Sequence, residues 1–283
     1  MTIRDFGKLC KLPISAMSTL SAATGFLAAQ AFNWRLLPTA LAVLLLACAA
    51  CALNEAQEHK QDALMPRTRQ RPIPTGKISA KASALLALAL GAVALTLLTA
   101  LGGRDALGLG ALAVLWYNGV YTYAKRVTTL APVIGSLIGA IPPALGWVCA
   151  GGTLDGPILS LCFFLLMWQI PHFWLLALLM KGEYEHAGFP TFVGLLGAAS
   201  VTRVTFTWTT ATAASALLLP LFGLARSPLL GLALAGLGAW LVLVAWRALR
   251  KPSPLGIGRA FRAINYYALL VMGAVMLDAV LGH

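Results

Sequence analysis

Three residues with oxygen-bearing side chains recur at intervals of four in the segment 48–63, namely Asn54, Glu58 and Asp62. If this segment is helical, each step of four residues turns the helix by only about 40°, so the three side chains share one face. Oxygen ligands on one face suit a hard divalent cation such as Mg²⁺, which binds few protein carboxylates and shares the rest of its shell with substrate phosphates. The spacing therefore predicts an Mg²⁺ site with Glu58 and Asp62 as ligands.

Basic residues follow this row directly. Arg67 and Arg71 come shortly after Asp62, in a polar segment that also holds Lys60, Arg69 and Lys77. Guanidinium groups bind phosphate oxygens bidentately, so these side chains suit the other half of the site. The segment 54–77 is therefore predicted to bind a metal-bound diphosphate.

A second acidic patch lies much further along the chain. Glu183 and Glu185 stand in the sequence KGEYEH, directly after a long apolar run. Two acidic patches at the ends of different helices could hold one diphosphate through metal ions, which makes Glu183 a candidate metal ligand. On its own, the segment is equally typical of a solvated loop.

A histidine lies inside the preceding apolar run, in the sequence WQIPHFW. An ionisable residue within a membrane span is costly and marks a candidate functional site. His172, with Trp168 one turn before it, could bind a metal, act as a base or hydrogen-bond a substrate. A satisfied core histidine is the structural alternative.

A further basic pair follows an aromatic stretch. Tyr121 precedes Lys125 and Arg126 by about one helical turn, and these bases could complete a phosphate clamp or anchor a helix end.

The composition indicates that membrane-spanning helices position these residues. The chain has 283 residues, of which 59% are hydrophobic and 11% charged, whereas soluble domains carry about 25% charged residues. Runs long enough to span a bilayer, about 20 residues each, predict an all-α polytopic membrane protein with one domain, 1–283, and nine spans at 12–32, 36–53, 82–101, 106–124, 130–150, 157–180, 204–224, 228–248 and 260–281.

Charge distribution predicts the orientation. Eighteen of the 21 Lys and Arg residues fall in segments on one side, and only Arg35, Arg104 and Arg226 on the other. The positive-inside rule then places the N-terminus in the cytoplasm and the C-terminus outside. Because the +12 charge follows the membrane, it does not indicate nucleic-acid binding. The last three spans carry almost no charge and are assigned to scaffold and cavity wall.

Four ordered blocks resemble those of the UbiA superfamily of intramembrane prenyltransferases, in particular its haem-modifying branch, and the resemblance covers most of the chain. The blocks are Asn54-xxx-Glu58-xxx-Asp62 with its Arg67-Thr68-xx-Arg71-Pro72 tail, Tyr121-Thr122 to Lys125-Arg126 with Gly139-Ala140-Ile141-Pro142-Pro143, Trp168-Gln169-x-Pro171-His172-Phe173-Trp174, and Glu183-Tyr184 with Ala187-Gly188-x-Pro190.

The resemblance implies nine helices around a central cavity that opens to lipid, with Mg²⁺ and diphosphate at the cytoplasmic mouth. It also implies transfer of a farnesyl group from farnesyl diphosphate to a vinyl group of haem b, in the bacterial inner membrane, with product passing to the haem A synthase or terminal oxidase machinery. Asn54, Glu58, Asp62 and Glu183 would be the catalytic and metal-binding set. The other predicted site residues would contact substrate: Arg67, Arg71, Tyr121, Lys125, Arg126, Trp168 and His172.

The chain departs from the family pattern at four points. A usual PML run after the second acidic motif reads Pro190-Thr191-Phe192 here. Glu58 and Glu183 stand where the family usually has Asp, and Ala187 occupies the position four residues after Glu183 where a carboxylate is expected. Two other functions stay open from the sequence alone. One is a related prenyltransferase acting on a quinone or other aromatic acceptor, and the other is a transporter or haem-binding membrane protein without catalysis.

Overall fold

The computed structural model describes residues 2–30, 32–180, 182–183 and 188–282, and within these ranges the regular elements are helical. A π-helical segment spans Leu115–Tyr121. The α-helices in chain order are α1 Ile3–Leu9, α2 Leu12–Ala29, α3 Leu36–Leu64, α4 Ala80–Val114, α5 Thr122–Val127, α6 Ala131–Cys149, α7 Gly156–Leu179, α8 Phe192–Ser215, α9 Leu218–Leu221, α10 Pro228–Leu249 and α11 Pro254–Leu281.

Eight helices in the described residues are long and apolar enough to cross a membrane, and one of them, Ala80–Val127, has 48 residues. That is about twice the length that a bilayer requires. Gly102 and Gly103 leave the helical conformation, and Gly103 has a φ of 63°. A Cβ on Gly110 would lie 2.9 Å from Leu95 Cδ2, so the chain folds back on itself here. The prediction of an all-α protein with nine crossings is confirmed.

Two predicted spans differ most from the helices. The span 36–53 belongs to α3, which continues to Leu64 because a helix satisfies its backbone bonds internally and does not need to end where the apolar residues end. The span 204–224 is displaced, since α8 begins at Phe192 and ends at Ser215. The predicted span began after Arg203, whereas α8 includes this residue and the apolar turns before it. Gly197, with a φ of 76°, divides the helix there.

Helix α6 lies among α2, α4 and α7. It approaches α2 so closely that backbones touch, because a Cβ on Gly25 would lie 2.0 Å from Pro143 O and one on Gly146 would lie 1.8 Å from Ala22 O. Small residues at both points allow this contact, as is usual for helices packed within a membrane. This close packing fixes the position of α6 relative to α2.

The polar segment after α3 is tied to both neighbouring helices. Thr68 Oγ1 donates to Asp62 O at 2.8 Å, and Lys77 Nζ donates to Asp5 Oδ1 at 2.6 Å. The hydrogen bond from Lys77 is the main reason that the pKa of the Asp5 carboxyl lies well below its usual range. The polar segment is therefore bonded to the end of α3 through Thr68 and to α1 through Lys77.

Candidate active site

The amide and carboxylates of α3 are buried at one end of the bundle. Asn54, Glu58 and Asp62 are 0%, 4% and 2% exposed. The predicted helix across residues 48–63 is present, and Asn54 Nδ2 donates to Glu58 Oε2 at 3.0 Å. The three side chains therefore form one polar row, as the spacing of four predicts.

Each carboxylate of this row is paired with a base from another segment. Arg71 Nη1 lies 2.6 Å from Asp62 Oδ2, and Lys125 Nζ forms an ion pair with Glu58 Oε2. The second oxygen of Glu58, Oε1, is buried and has no hydrogen-bond partner among the described residues. Because a buried acceptor without a donor is costly, this oxygen is a candidate ligand for a cation.

Lys11 is a third base beside the row, after Arg71 and Lys125. It was not predicted as a site residue from the sequence. Its ammonium donates to Asn54 Oδ1 at 2.6 Å and lies 3.4 Å from the Tyr117 hydroxyl. No described carboxylate forms an ion pair with it. Its backbone is left-handed, with a φ of 46°, a conformation that non-glycine residues rarely adopt. One signal was available in the sequence, a lysine directly before the first span, but a lysine that only sets the membrane orientation has the same signal.

The π-helical segment and α5 bring aromatic rings beside the row. Tyr117 and Tyr121 stack with centroids 5.7 Å apart, and Lys125 Nζ lies 5.3 Å from the centroid of the Tyr121 ring. Arg126 contributes differently, because its Nη2 donates to the main-chain oxygen of Gln57 at 3.0 Å. Lys125 thus belongs to the ionic cluster, whose members are Lys11, Asn54, Glu58, Asp62, Arg71 and Lys125. Arg126 instead connects α5 to α3.

Two other predicted residues are not joined to this cluster. Arg67 is exposed, and the described residues include no hydrogen-bond or ion-pair partner for it. Glu183 is half-buried just after α7, and its amide donates to Met180 O at 3.2 Å. Tyr184, Glu185 and Ala187 lie outside the described residues. Within the described ranges, no group of three or more His, Cys, Asp or Glu residues is placed to hold a metal ion.

His172 lies in a second polar group, between α7 and α11. Its Nδ1 is 2.8 Å from Asn265 Oδ1, and the rings of Trp168 and Phe261 each have centroids 5.0 Å from the imidazole. Asn265 and Phe261 belong to the last span, which the sequence assigned to scaffold and cavity wall. An amide inside an apolar span was the available signal.

One face of α6 connects the two groups. Gly135 and Gly139 are four residues apart and share a helix face. A Cβ on Gly135 would lie 2.7 Å from the Tyr121 ring, and one on Gly139 would lie 1.8 Å from Gln169 Nε2. Gln169 is the neighbour of His172 on α7, three residues earlier. The ionic cluster and Gln169, which lies one turn before His172, therefore adjoin the same face of α6.

The sequence is similar to those of known proteins over most of its length. A model of the UbiA prenyltransferase family matches residues 15–271. The chain is 40% identical over 240 residues to the protoheme IX farnesyltransferase of Geobacter sulfurreducens, covering 83% of this chain and 84% of that protein. It is 37% identical over 256 residues to the protoheme IX farnesyltransferase of Nitratidesulfovibrio vulgaris, covering 88% of each.

Solved structures show the same fold at low sequence identity. A digeranylgeranylglyceryl phosphate synthase superimposes with a TM-score of 0.80 at 13% identity, covering 98% of each chain. A UbiA homologue from Archaeoglobus fulgidus bound to DMAPP and Mg²⁺ gives a TM-score of 0.71 at 12% identity, covering 96% of this chain and 99% of that one.

Proposed function

The chain belongs to the UbiA prenyltransferase family, and we propose that it transfers the farnesyl group of farnesyl diphosphate to a vinyl group of haem b, with addition of water, giving haem O. The observation that carries the proposal is the buried row of Asn54, Glu58 and Asp62, ringed by Lys11, Arg71 and Lys125. The names of the curated relatives support haem b as the acceptor.

The donor set fits Mg²⁺. Glu58 has one buried oxygen without a described partner, and Asp62 lies one turn further along the same face. Two carboxylates are enough for Mg²⁺, which keeps phosphate and water oxygens in its shell. We assign Glu58 and Asp62 as ligands with Asn54 beside them, and Glu183 as a ligand from the second patch. When bound, the metal supplies charge neutralisation at the diphosphate oxygens.

The basic residues act on the leaving group. Breaking the bond between farnesyl C1 and the diphosphate oxygen places growing negative charge on the diphosphate. Lys125 and Arg71 exchange their carboxylate partners for phosphate oxygens, and Lys11, which has no acidic partner among the described residues, adds a third cation. Arg67 and Arg126 are proposed to assist from the edge of the cluster.

The aromatic rings act on the other fragment. The allylic cation left on the farnesyl group is attracted to the faces of Tyr117 and Tyr121, which stack beside the ionic cluster. C1 then bonds the terminal vinyl carbon, and water adds its hydroxyl to the inner vinyl carbon with loss of a proton. His172 and Trp168 are proposed to contact the porphyrin.

The location follows from the same proposal. The enzyme lies in the bacterial inner membrane with its N-terminus in the cytoplasm and its C-terminus outside, so the diphosphate site faces the cytoplasm. The lipid bilayer holds both apolar substrates, and haem O passes to the haem A synthase or terminal oxidase machinery.

The test is an assay of the purified protein in nanodiscs with haem b, farnesyl diphosphate and Mg²⁺, with pigments identified by mass spectrometry. We expect a haem product heavier by one farnesyl group plus water. Asp62→Asn should abolish the product, and Arg71→Ala should reduce it strongly. Arg69→Ala, which removes an exposed guanidinium from the same segment, is the matched control and should leave turnover unchanged.

Other outcomes would redirect the assignment. Diphosphate release with a quinone or other aromatic acceptor, and no modified haem, would keep the prenyltransfer reaction but refute haem as its acceptor. Haem binding without any transfer, unaffected by Asp62→Asn, would favour a non-catalytic haem-binding protein.

A further inference from the structure

The side-chain amide of Asn265 has a defined orientation. Its Nδ2 donates to the main-chain oxygen of Phe261 at 2.7 Å, and a carbonyl oxygen can only accept. The atom 2.8 Å from His172 Nδ1 is therefore Oδ1, as the geometry assigns it. Because an amide oxygen is also only an acceptor, the proton of this hydrogen bond belongs to Nδ1 of His172.

This bond determines what the other ring nitrogen can do. In a neutral imidazole with its proton on Nδ1, Nε2 carries a lone pair and no hydrogen. No described residue hydrogen-bonds Nε2, and no described carboxylate pairs with the ring. A second proton would create an unpaired charge within a membrane span, which is costly. Nε2 is therefore suited to bind an electron-pair acceptor such as a metal ion.

The surroundings of the ring suit a flat apolar ligand. Trp168 and Phe261 lie beside the imidazole, and Phe173 meets its edge with centroids 5.4 Å apart. The Trp168 ring is held by a hydrogen bond from its Nε1 to Ile264 O at 2.9 Å. His172 itself is only half-buried, so part of the ring is accessible.

We propose that His172 binds the iron of haem b through Nε2 and that Asn265 is the positioning residue that holds the imidazole in this tautomer. The inference rests on the proposed function, which makes haem b the acceptor substrate. An axial bond would fix the depth and tilt of the porphyrin. It would thereby fix the position of the vinyl group relative to the ionic cluster. A hydrogen bond to Nδ1 also makes a metal-bound imidazole a stronger donor.

The test measures haem binding alone, without farnesyl diphosphate or Mg²⁺. Haem b is titrated into the protein in nanodiscs, and the iron–histidine stretching band of the ferrous complex is recorded by resonance Raman spectroscopy. His172→Ala should lose the band, and added imidazole should restore it. Asn265→Leu should weaken haem binding roughly 10- to 100-fold, the usual effect of losing a partner of a metal ligand, and should shift the band to lower frequency.

Two further variants make the result specific. Asn265→Asp keeps an acceptor and strengthens it, so its band should shift to higher frequency than that of the wild type. Asn33→Leu, the same substitution in the connection between α2 and α3, is the matched control and should change neither affinity nor band. If Asn265→Leu does not elute as a single folded species, the shift in Asn265→Asp decides the question.

A band that persists in His172→Ala would refute the iron ligand. An unchanged band in Asn265→Asp, or in a folded Asn265→Leu, would refute the positioning role. These results are separable from the proposed function, because wild-type protein that shows the band but makes no haem O keeps this inference and refutes the reaction. Haem O formation by wild-type protein that lacks the band does the reverse.

Discussion

At the scale of single residues, each carboxylate of the candidate site is paired with a base, Glu58 with Lys125 and Asp62 with Arg71. Glu58 Oε2 accepts hydrogen bonds from both Asn54 Nδ2 and Lys125 Nζ. Its Oε1 is buried and has no hydrogen-bond partner among the described residues. A buried ion pair is costly to break by removing one member, because the other charge is left uncompensated. We therefore expect the carboxylate of Glu58 to keep Lys125 in place and to hold the proposed cation.

Replacing Glu58 with Gln should lower kcat/KM at least about 100-fold, since it removes the charge while keeping the side-chain length. Glu58→Asp keeps a carboxylate, and Asp is the usual residue of the family pattern, so this variant should retain most of the activity. Steady-state kinetics over a range of Mg²⁺ concentrations would measure both. Equal activity of Glu58→Gln and wild type would show that Glu58 is not a metal ligand.

Lys11 and Lys8 separate a substrate contact from a topogenic charge. Both lie before the first span, but Lys8 is exposed on α1, whereas Lys11 reaches Asn54 at 2.6 Å. Lys11→Met should raise KM for farnesyl diphosphate about tenfold, the effect of losing one charge-assisted hydrogen bond. Lys8→Met should leave KM unchanged. Equal KM values for the two variants would assign Lys11 to topology alone.

The difference between these residues also shows what the sequence could reveal. The row of Asn54, Glu58 and Asp62 was predictable because helical periodicity is a local property of the chain. The contacts of Lys11 with Asn54 and of His172 with Asn265 were not, since each joins residues on different helices and depends on how those helices pack. The sequence contains the residues of such a contact but not the contact itself.

At the scale of elements, one helix face connects the two halves of the site. Gly135 of α6 accommodates the Tyr121 ring, and Gly139 accommodates the amide of Gln169, which donates to Ser136 O at 3.0 Å. The family block includes Gly139, whereas Gly135 lies outside it. Their function became clear only from the packed structure, where they make room for side chains of α7 and of the π-helical segment.

Gly139→Ala should therefore displace Gln169 and disturb its neighbour His172. We expect a loss of roughly 1–3 kcal/mol in stability, as for overpacked cores, and lower turnover. Shortening the amide in the double variant Gly139→Ala/Gln169→Ala should restore part of both. Gly236→Ala, at a position with open space in α10, is the control. Thermal unfolding and product formation would be measured, and additive losses in the double variant would contradict this coupling.

At the scale of the whole molecule, the two ends of the bundle differ in chemistry. The ionic cluster occupies one end. At the other end, Arg35 donates to Leu101 O, and Arg226 donates through Nη2 to Ala28 O at 3.3 Å and through its amide to Asp278 Oδ2 at 2.6 Å. Two of the three bases predicted to lie outside, Arg35 and Arg226, thus bind main-chain oxygens near helix ends.

The sidedness of these ends can be tested with single cysteines at exposed positions, introduced as Arg104→Cys and Lys251→Cys. A membrane-impermeant maleimide applied to intact spheroplasts should label Arg104→Cys, which follows the turn between the two halves of α4. Lys251→Cys, between α10 and α11, should be labelled only after permeabilisation, because eighteen of the 21 Lys and Arg residues are assigned to the cytoplasmic side. The wild-type protein controls for its native cysteines, of which Cys162 is the only partly exposed one among those described. The reverse labelling pattern would place the diphosphate cluster outside the cell, where a cytoplasmic pool of farnesyl diphosphate could not reach it. The proposed reaction therefore requires this orientation.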